Sequence, residues 1–404
     1  MDQQTLFANA LGLTTPWRVT RVNFAPEQKQ LDIYLDFARG SRFPCPRCGA
    51  DAPAYDTSAE RWRHLDFFQH AAYLHARVPR VECARGCGVA KITVPWARAG
   101  SGFTLLFEAL VMSMIREMPV AAVAALVGEH DTRLWRIAHH YTEAARARRD
   151  DSQVQRVGVD ETAARRGHNY ISLFFDMEAR RLLFATAGKD AATVTAFAED
   201  LRAHGGTTEQ IAAVCCDMSP AFIKGVETTL PGAALTFDRF HLMKLIGDAV
   251  DLVRREEARS ETGLKQTRYL WLMNPSRLSV AQQAQVAQLA RQRLKTAKAY
   301  QLRLVFQEFF AQGTRAAAEE FLGRWYFWAT HTRLAPVIKA AKTIKAHWTG
   351  ILNWYDSKLT TGLLEGVNSL LQAAKARARG YRTTKNLITM AYLIAGKLDF
   401  KLPT

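Results

Sequence analysis

Apolar and polar residues alternate at period two in "WRVTRVNF" (17–24) and "LDIYLDF" (31–37), which predicts β-strands within a region of short strands and turns reaching to about residue 100. From Phe103 the apolar spacing becomes helical. "FTLLFEALVMSMIREM", "VAAVAALVG" and "TRLWRIAHHYTEAARARR" predict three helices, with Pro119 placed to start the second and Gly128 to end it. After Gln153 strands return. "VQRVGVDE", "YISLFFDM" and "RRLLFATA" are three successive candidates, the last two forming a hairpin around Glu178. Then helix and strand alternate: "DAATVTAFAEDLRAHGG", "IAAVCCD", "SPAFIKGVETTL", "ALTFD" and a helix opening at "RFHLMKLIGDAV".

Three neighbouring strands followed by helix–strand alternation fit neither a sandwich nor a dinucleotide-binding unit. They fit a ribonuclease-H-like mixed α/β core. Residues 250–355, rich in Gln, Ala and Arg, read as an α-helical insertion, and 358–400 as further helices. The expected organisation is multidomain α+β. An N-terminal β-rich region occupies 1–100, a helical module 101–150, the first part of the core 151–249, the insertion 250–355 and the C-terminal core helices 356–404.

Charge narrows the class of partner. With 54 Lys+Arg against 38 Asp+Glu the net charge is +16, which favours a polyanion, with nucleic acid ahead of a membrane. No apolar run reaches the roughly 18 residues that a bilayer span needs, and the N-terminus has no secretory pattern, so a cytoplasmic location is expected. The six cysteines make no disulfide framework. "CPRCG" (45–49) and "CARGCG" (83–88) each set two thiols on a turn ending in glycine, and the four together suit tetrahedral zinc, one ion per chain, held by Cys45, Cys48, Cys83 and Cys87. His64, His70 and His75 lie between the knuckles as possible substitutes for a sulfur; Cys215 and Cys216 read as buried strand residues. In "MPVAAVAALVGEHDTRLWRIAHHY" the spacing suits a helix-turn-helix, with Leu134, Ile137 and Ala138 inward and Thr132, Arg133, Arg136 and His140 outward toward a major groove. A plain three-helix bundle shares that periodicity.

The acids carry the chemistry. Asp160 is expected to end the first core strand and Asp217 the fourth, so that neighbouring strands bring their carboxylates together as ligands for two hard divalent cations. Glu365, the only acid between Asp356 and Asp399, opens an apolar helix and is the third candidate. Glu161 points to the opposite face by strand alternation. Asp238 is an alternative second ligand, or with Arg239 and His241 lines the site. Arg165, Arg166 and His168 are candidates for phosphate contact in the turn after the first strand, and Lys375, Arg377, Arg379 and Arg382 for gripping a DNA backbone. Trp271, Trp325, Trp328 and Trp348 read as core packing ahead of a stacking platform.

From Cys45 onward the chain resembles the transposases of the ISL-three family of bacterial insertion sequences, which are of the DDE class. The resemblance is carried by both cysteine knuckles, the helix-turn-helix, "VGVDETAARRGHNYISLFFD", "VCCDMSPAF", "LTFDRFHLMKLI" and "LLEGVNSLLQAAKARARGYR". It implies that Asp160, Asp217 and Glu365 are the catalytic aspartates and glutamate, with two magnesium or manganese ions per active site. The enzyme so implied binds the terminal inverted repeats of its insertion sequence and carries out metal-dependent phosphodiester hydrolysis and transesterification. Its partners would be double-stranded DNA, both transposon ends and target, and a second copy of the chain, as a homodimer or larger. An inactive DNA-binding regulator and a purely hydrolytic structure-specific nuclease are the alternative readings.

Overall fold

The computed structural model describes residues 2–167 and 169–403, which fall into two compact units, Met1–Tyr141 with Asp399–Thr404, and Thr142–Leu398. His168 lies outside the described residues.

In the first unit, helix α1 (Gln3–Ala10) precedes strands β1 (Trp17–Ala25), β2 (Gln30–Phe37), β3 (Arg42–Pro44), β4 (Asp51–Phe67), β5 (His70–Cys83) and β6 (Gly88–Lys91). They form one sheet in the order β1-β2-β5-β4-β3, with β6 on β5. The alternation in β1 and β2 places Val19, Leu31, Ile33 and Leu35 in a core completed by Trp62, Leu74 and Trp96. β4 and β5 are longer than the short strands expected, pairing from Ala54–Val81 to Phe67–His70. Much of β4 is exposed and polar, so its sequence lacks the apolar beat that marks a strand. Helices α2 (Leu105–Glu117), α3 (Val120–Val127) and α4 (Asp131–Arg146) follow. Pro119 is the residue before α3, and Gly128 closes it at φ 67°, a left-handed turn that glycine adopts without steric cost.

The second unit is built on a mixed sheet of β7 (Arg156–Arg165), β8 (Asn169–Asp176), β9 (Arg181–Ala187), β10 (Ala213–Cys216) and β11 (Ala234–Phe237), in the order β11-β10-β7-β8-β9. β7, β8 and β9 are antiparallel neighbours, whereas β10 lies parallel to both β7 and β11. This is the ribonuclease-H-like order expected. Helices α5 (Ala191–Ala203) and α6 (Pro220–Thr229) bury Phe197 and Phe222 in the core that also holds Val157, Val159 and Val214. Phe174 of β8 stacks on Phe197 of α5 with centroids 4.6 Å apart.

Helix α7 (Arg239–Glu257) is followed, after a turn and a short 3-10 stretch, by the helical region α8 (Arg268–Leu272), α9 (Val280–Ala290), α10 (Lys295–Gln307), α11 (Arg315–Thr330), α12 (Ala335–Ala346), α13 (Trp348–Leu352) and α14 (Trp354–Ser357). Trp271 and Trp325 are buried with their indole N–H groups donating to Thr267 and to the Leu302 carbonyl. Trp328 and Trp348 are half-buried. The chain then returns to the sheet as α15 (Gly362–Arg377) and α16 (Thr384–Ala395).

One strand end differs from expectation. Asp160 does not terminate β7, which runs on to Arg165. The parallel ladder with β10 stops at Gly158–Cys215, but β8 continues to pair with β7 out to Arg165–Asn169, and one antiparallel neighbour is enough to keep the strand extended.

Candidate functional site

The two faces of β7 meet different partners. Val157 and Val159 face the core, whereas Gly158, Asp160 and Thr162 face α15. The helix lies close along this second face because Gly158 has no side chain. A Cβ there would sit 2.4 Å from the Met177 sulfur and 3.0 Å from Leu364 Cδ1. Beyond that contact the helix is stitched to the strand. Asn368 Nδ2 donates to Asp160 Oδ2 at 2.7 Å, Gln372 Nε2 to Thr162 Oγ1 at 2.7 Å, and Lys375 Nζ to the Ala163 carbonyl at 2.7 Å. Glu365 is one helical turn before Asn368 and so lies on the same face of α15.

Asp217 follows β10 directly, and continuing the register Cys215–Gly158 by two residues sets Asp217 level with Asp160. The two carboxylates interact. Burial pushes Asp160 up to about 6, and the charges of Asp217 and Glu161 add to the rise, opposed by a hydrogen bond from the Glu161 N–H and by His241. Burial likewise raises Glu365, with Asp238 adding to the shift. His241 connects these acids. It contacts Asp238 Oδ2 at 3.3 Å and is raised first by that contact and further by the charges of Asp238, Asp160 and Asp217.

Asp238 turns out to be fully engaged. Its Oδ2 accepts the backbone N–H groups of Phe240 and His241 at the start of α7, and its Oδ1 accepts the N–H of Thr361 at 2.9 Å, just before α15. Burial alone would raise its pKa, but hydrogen bonds from His241 and Thr361 hold it below the ordinary value. It therefore fastens two helix N-termini together and sets where Glu365 stands. That positioning role, and the bond from Asn368, escaped the sequence reading. An amide in a helix carries no signal of its own, and Asp238 and Thr361 are 123 residues apart.

An all-oxygen donor set suits a hard divalent cation. The structure adds that Glu365 Oε1 and Asn368 Oδ1 are buried acceptors without a hydrogen-bond partner, and that repulsion among the acids is relieved only in part by His241. The residues present fit such an ion. Asp160, Asp217 and Glu365 do not by themselves gather within 4.8 Å of one another; among the described residues that closeness is reached by the four cysteines and by Asp151, Asp200 and His204. The latter trio is an ion-pair network. Arg149 meets Asp151 at 2.6 Å and Asp200 at 2.9 Å, and Arg146 meets Asp200 at 2.6 Å, so the carboxylates are already neutralised.

The other expected residues lie in different surroundings. Glu161 is on the far face of β7, 3.7 Å from Lys189. Arg165 and Arg166 are exposed at the end of β7, with Arg165 Nη2 donating to the Tyr381 carbonyl at 3.4 Å. Arg239 is exposed, its guanidinium 4.7 Å from the Phe310 ring centroid. Arg377, Arg379 and Arg382 are exposed at and beyond the end of α15. In α4, Leu134, Ile137 and Ala138 are buried while Thr132, Arg136 and His140 are exposed; Arg133 instead pairs with Glu129 and sits 4.2 Å over the Phe103 ring.

The knuckles meet because Cys45 follows β3 and Cys83 ends β5, at the same end of the first unit's sheet. Gly49 (φ 72°) and Gly86 (φ 81°) turn the chain back, and Cys48 and Cys83 sulfurs lie 3.5 Å apart. The Arg85 N–H pulls the Cys83 thiol down to about 7, toward the thiolate that zinc binds. The histidines between the knuckles are elsewhere, with His64 bonded to Thr104 and His75 to Asp32.

Comparison with known proteins identifies the family. A family model described as a transposase matches residues 157–391, one for the helix-turn-helix domain of transposase family ISL3 matches 92–142, and one for the zinc-finger of transposase IS204/IS1001/IS1096/IS1165 matches 41–87. The transposase for insertion sequence element IS1557 of Mycobacterium tuberculosis is 30% identical over 392 residues, covering 86% of this chain and 85% of the relative. That for IS1001 of Bordetella parapertussis is 26% identical over 385 residues, covering 92% and 94%.

Proposed function

The chain belongs to the ISL3 family of transposases, and we propose that it cuts DNA at the ends of its own insertion sequence and joins those ends to target DNA. The observation that carries the reading is the meeting of Asp160 and Asp217 on adjacent parallel strands with α15 clamped beside them by Asn368. Asp160, Asp217 and Glu365 would hold magnesium or manganese, two ions per active site. When bound, the metal supplies positive charge that lowers the pKa of an attacking hydroxyl and stabilises the leaving oxygen in phosphodiester hydrolysis and transesterification.

The chain's own residues do the rest. Asn368 and the Glu161 N–H orient the Asp160 carboxylate, and Asp238 holds the start of α15 so that Glu365 faces the same space. His241 offers a positive charge among the acids. Arg165, Arg166, Arg239, Arg377, Arg379 and Arg382 supply cations around the site for the DNA backbone, and Lys375, already bonded to Ala163, extends that seam. Arg136 of the helix-turn-helix reads duplex DNA, and one zinc ion on Cys45, Cys48, Cys83 and Cys87 holds the ribbon. Because two ends must be held at once, the working species is at least a homodimer on double-stranded DNA. No helix among the described residues is long and apolar enough to cross a membrane.

The test is cleavage of a duplex carrying the terminal inverted repeat, with magnesium. Asp160→Ala should abolish nicking while leaving duplex affinity intact, and strand joining to a second DNA should accompany cleavage by the unaltered chain. Cleavage retained by the variant would sink the assignment, and cleavage without joining would make the chain a nuclease.

A further inference from the structure

Beside Glu365 lies a cavity of about 670 Å³. Asp238, Arg239, Phe240 and Lys244 line it from α7 and its cap, and Arg277 and Arg303 from the helical insertion. Arg303, on α10, is 7% exposed. Its Nη2 donates to the Leu272 carbonyl at 2.7 Å and to Asn274 Oδ1 at 3.4 Å, but Nε and Nη1 are buried with no hydrogen-bond partner.

That arrangement is costly. Arginine cannot shed its proton, and a buried cation without a counter-charge is strongly destabilising. The other arginines buried to this degree are compensated: Arg254 bonds Asp251 at 2.7 Å, and Arg63 pairs with Asp66. Among the described residues Arg303 has no carboxylate partner. Of the acids around the cavity, Asp238 is held by three backbone N–H groups, Asp248 sits 3.4 Å from Lys244, and Glu365 forms no ion pair with Arg303, its Oε1 having no hydrogen-bond partner. Phe240, 53% exposed, adds an aromatic face to the same space.

We propose that this cavity is a second phosphate site, in which Arg303 takes a phosphodiester of the DNA strand that leads to the cut, next to the one reacting at Glu365. The guanidinium fork matches two phosphate oxygens, the surrounding cations Arg239, Lys244 and Arg277 draw the strand in, and Phe240 offers a stacking surface to the adjoining base. The insertion thereby becomes part of the substrate channel, and its buried charge is satisfied only when DNA is present. This inference rests on the transposase reading.

The experiment compares the unaltered full chain with R303M in binding to a terminal-repeat duplex across a salt series. R303M should fold and unfold no earlier than the unaltered chain without DNA, because an unpaired buried charge has been replaced by apolar volume. Its affinity should fall about tenfold, and the slope of log affinity against log salt should become shallower by about 0.9, the loss of one phosphate contact. Equal affinity and slope in R303M, with binding and cleavage by the unaltered chain intact, removes the Arg303 site and leaves the transposase reading standing. An unaltered chain that neither binds nor cuts the duplex removes both. Where R303M fails to fold, R303K takes its place: the charge stays, the fork goes, and affinity falls while the slope holds, with unchanged affinity again overturning the site.

Discussion

Asn368→Ala isolates a single contact in the proposed active site. The side chain gives one donor to Asp160 at 2.7 Å and carries a buried oxygen with no partner. A hydrogen bond to a charged group contributes about 1.5–3 kcal/mol, whereas burying an unpaired acceptor costs about 1–3 kcal/mol. Truncation to Ala removes both, so the unfolding midpoint should barely move. The two effects separate in catalysis, because only the bond to Asp160 bears on how that carboxylate is held. At 1.36 kcal/mol per tenfold, cleavage should slow by about 10- to 150-fold. The assay is single-turnover cleavage of the terminal-repeat duplex at saturating protein, with duplex affinity measured beside it. Asn368→Asp should be worse than Ala, since a second carboxylate would face Asp160 with no donor. A rate for Asn368→Ala within twofold of the unaltered chain, at unchanged affinity, would refute the claim that this bond positions Asp160.

Two further outcomes concern the N-terminal unit. Metal analysis should find about one zinc per chain, lost in Cys48→Ser together with the protease resistance of residues 41–87; a metal-free preparation equally resistant would show that the thiols pack without it. His64 is held down at about 4 by burial and then by Arg63, below its ordinary 6.5, so the unfolded chain takes up the proton first as pH falls. The His64 contribution to the stability of this unit should be flat above pH 6.5 and fall by about 3 kcal/mol between pH 6.5 and 4, measured by denaturant unfolding. His64→Gln should flatten that stretch, and an unaltered decline in the variant would assign it to other groups.

Much of the candidate site was legible because its signals are local. Asp160 and Asp217 close apolar runs whose order along the chain dictates neighbouring strands, and Glu365 stands out as an acid in basic sequence. The cysteine knuckles carry their spacing with them. What escaped depends on distant partners. Asn368 bonds a residue 208 positions away, and Asp238 gains its meaning from the N–H of Thr361. Arg303 sits in Gln/Ala/Arg-rich sequence where an arginine reads as solvated, yet α10 turns it inward. The extension of β7 past Asp160 was hidden for a related reason: polar residues there are sustained by pairing to β8 alone.

The bond between Asp160 and Asn368 also sets a clock. Ribosomes add about 5–20 residues per second. Asn368 is made 208 residues after Asp160, so roughly 10–40 s of synthesis separate the two halves of the proposed active site. Until α15 has emerged, the nascent protein holds the cysteine knuckles, the helix-turn-helix segment, Asp160 and Asp217, but not Glu365. A message broken before the codon for Glu365 would therefore encode the cysteine knuckles, the helix-turn-helix segment, Asp160 and Asp217 without the third proposed acid.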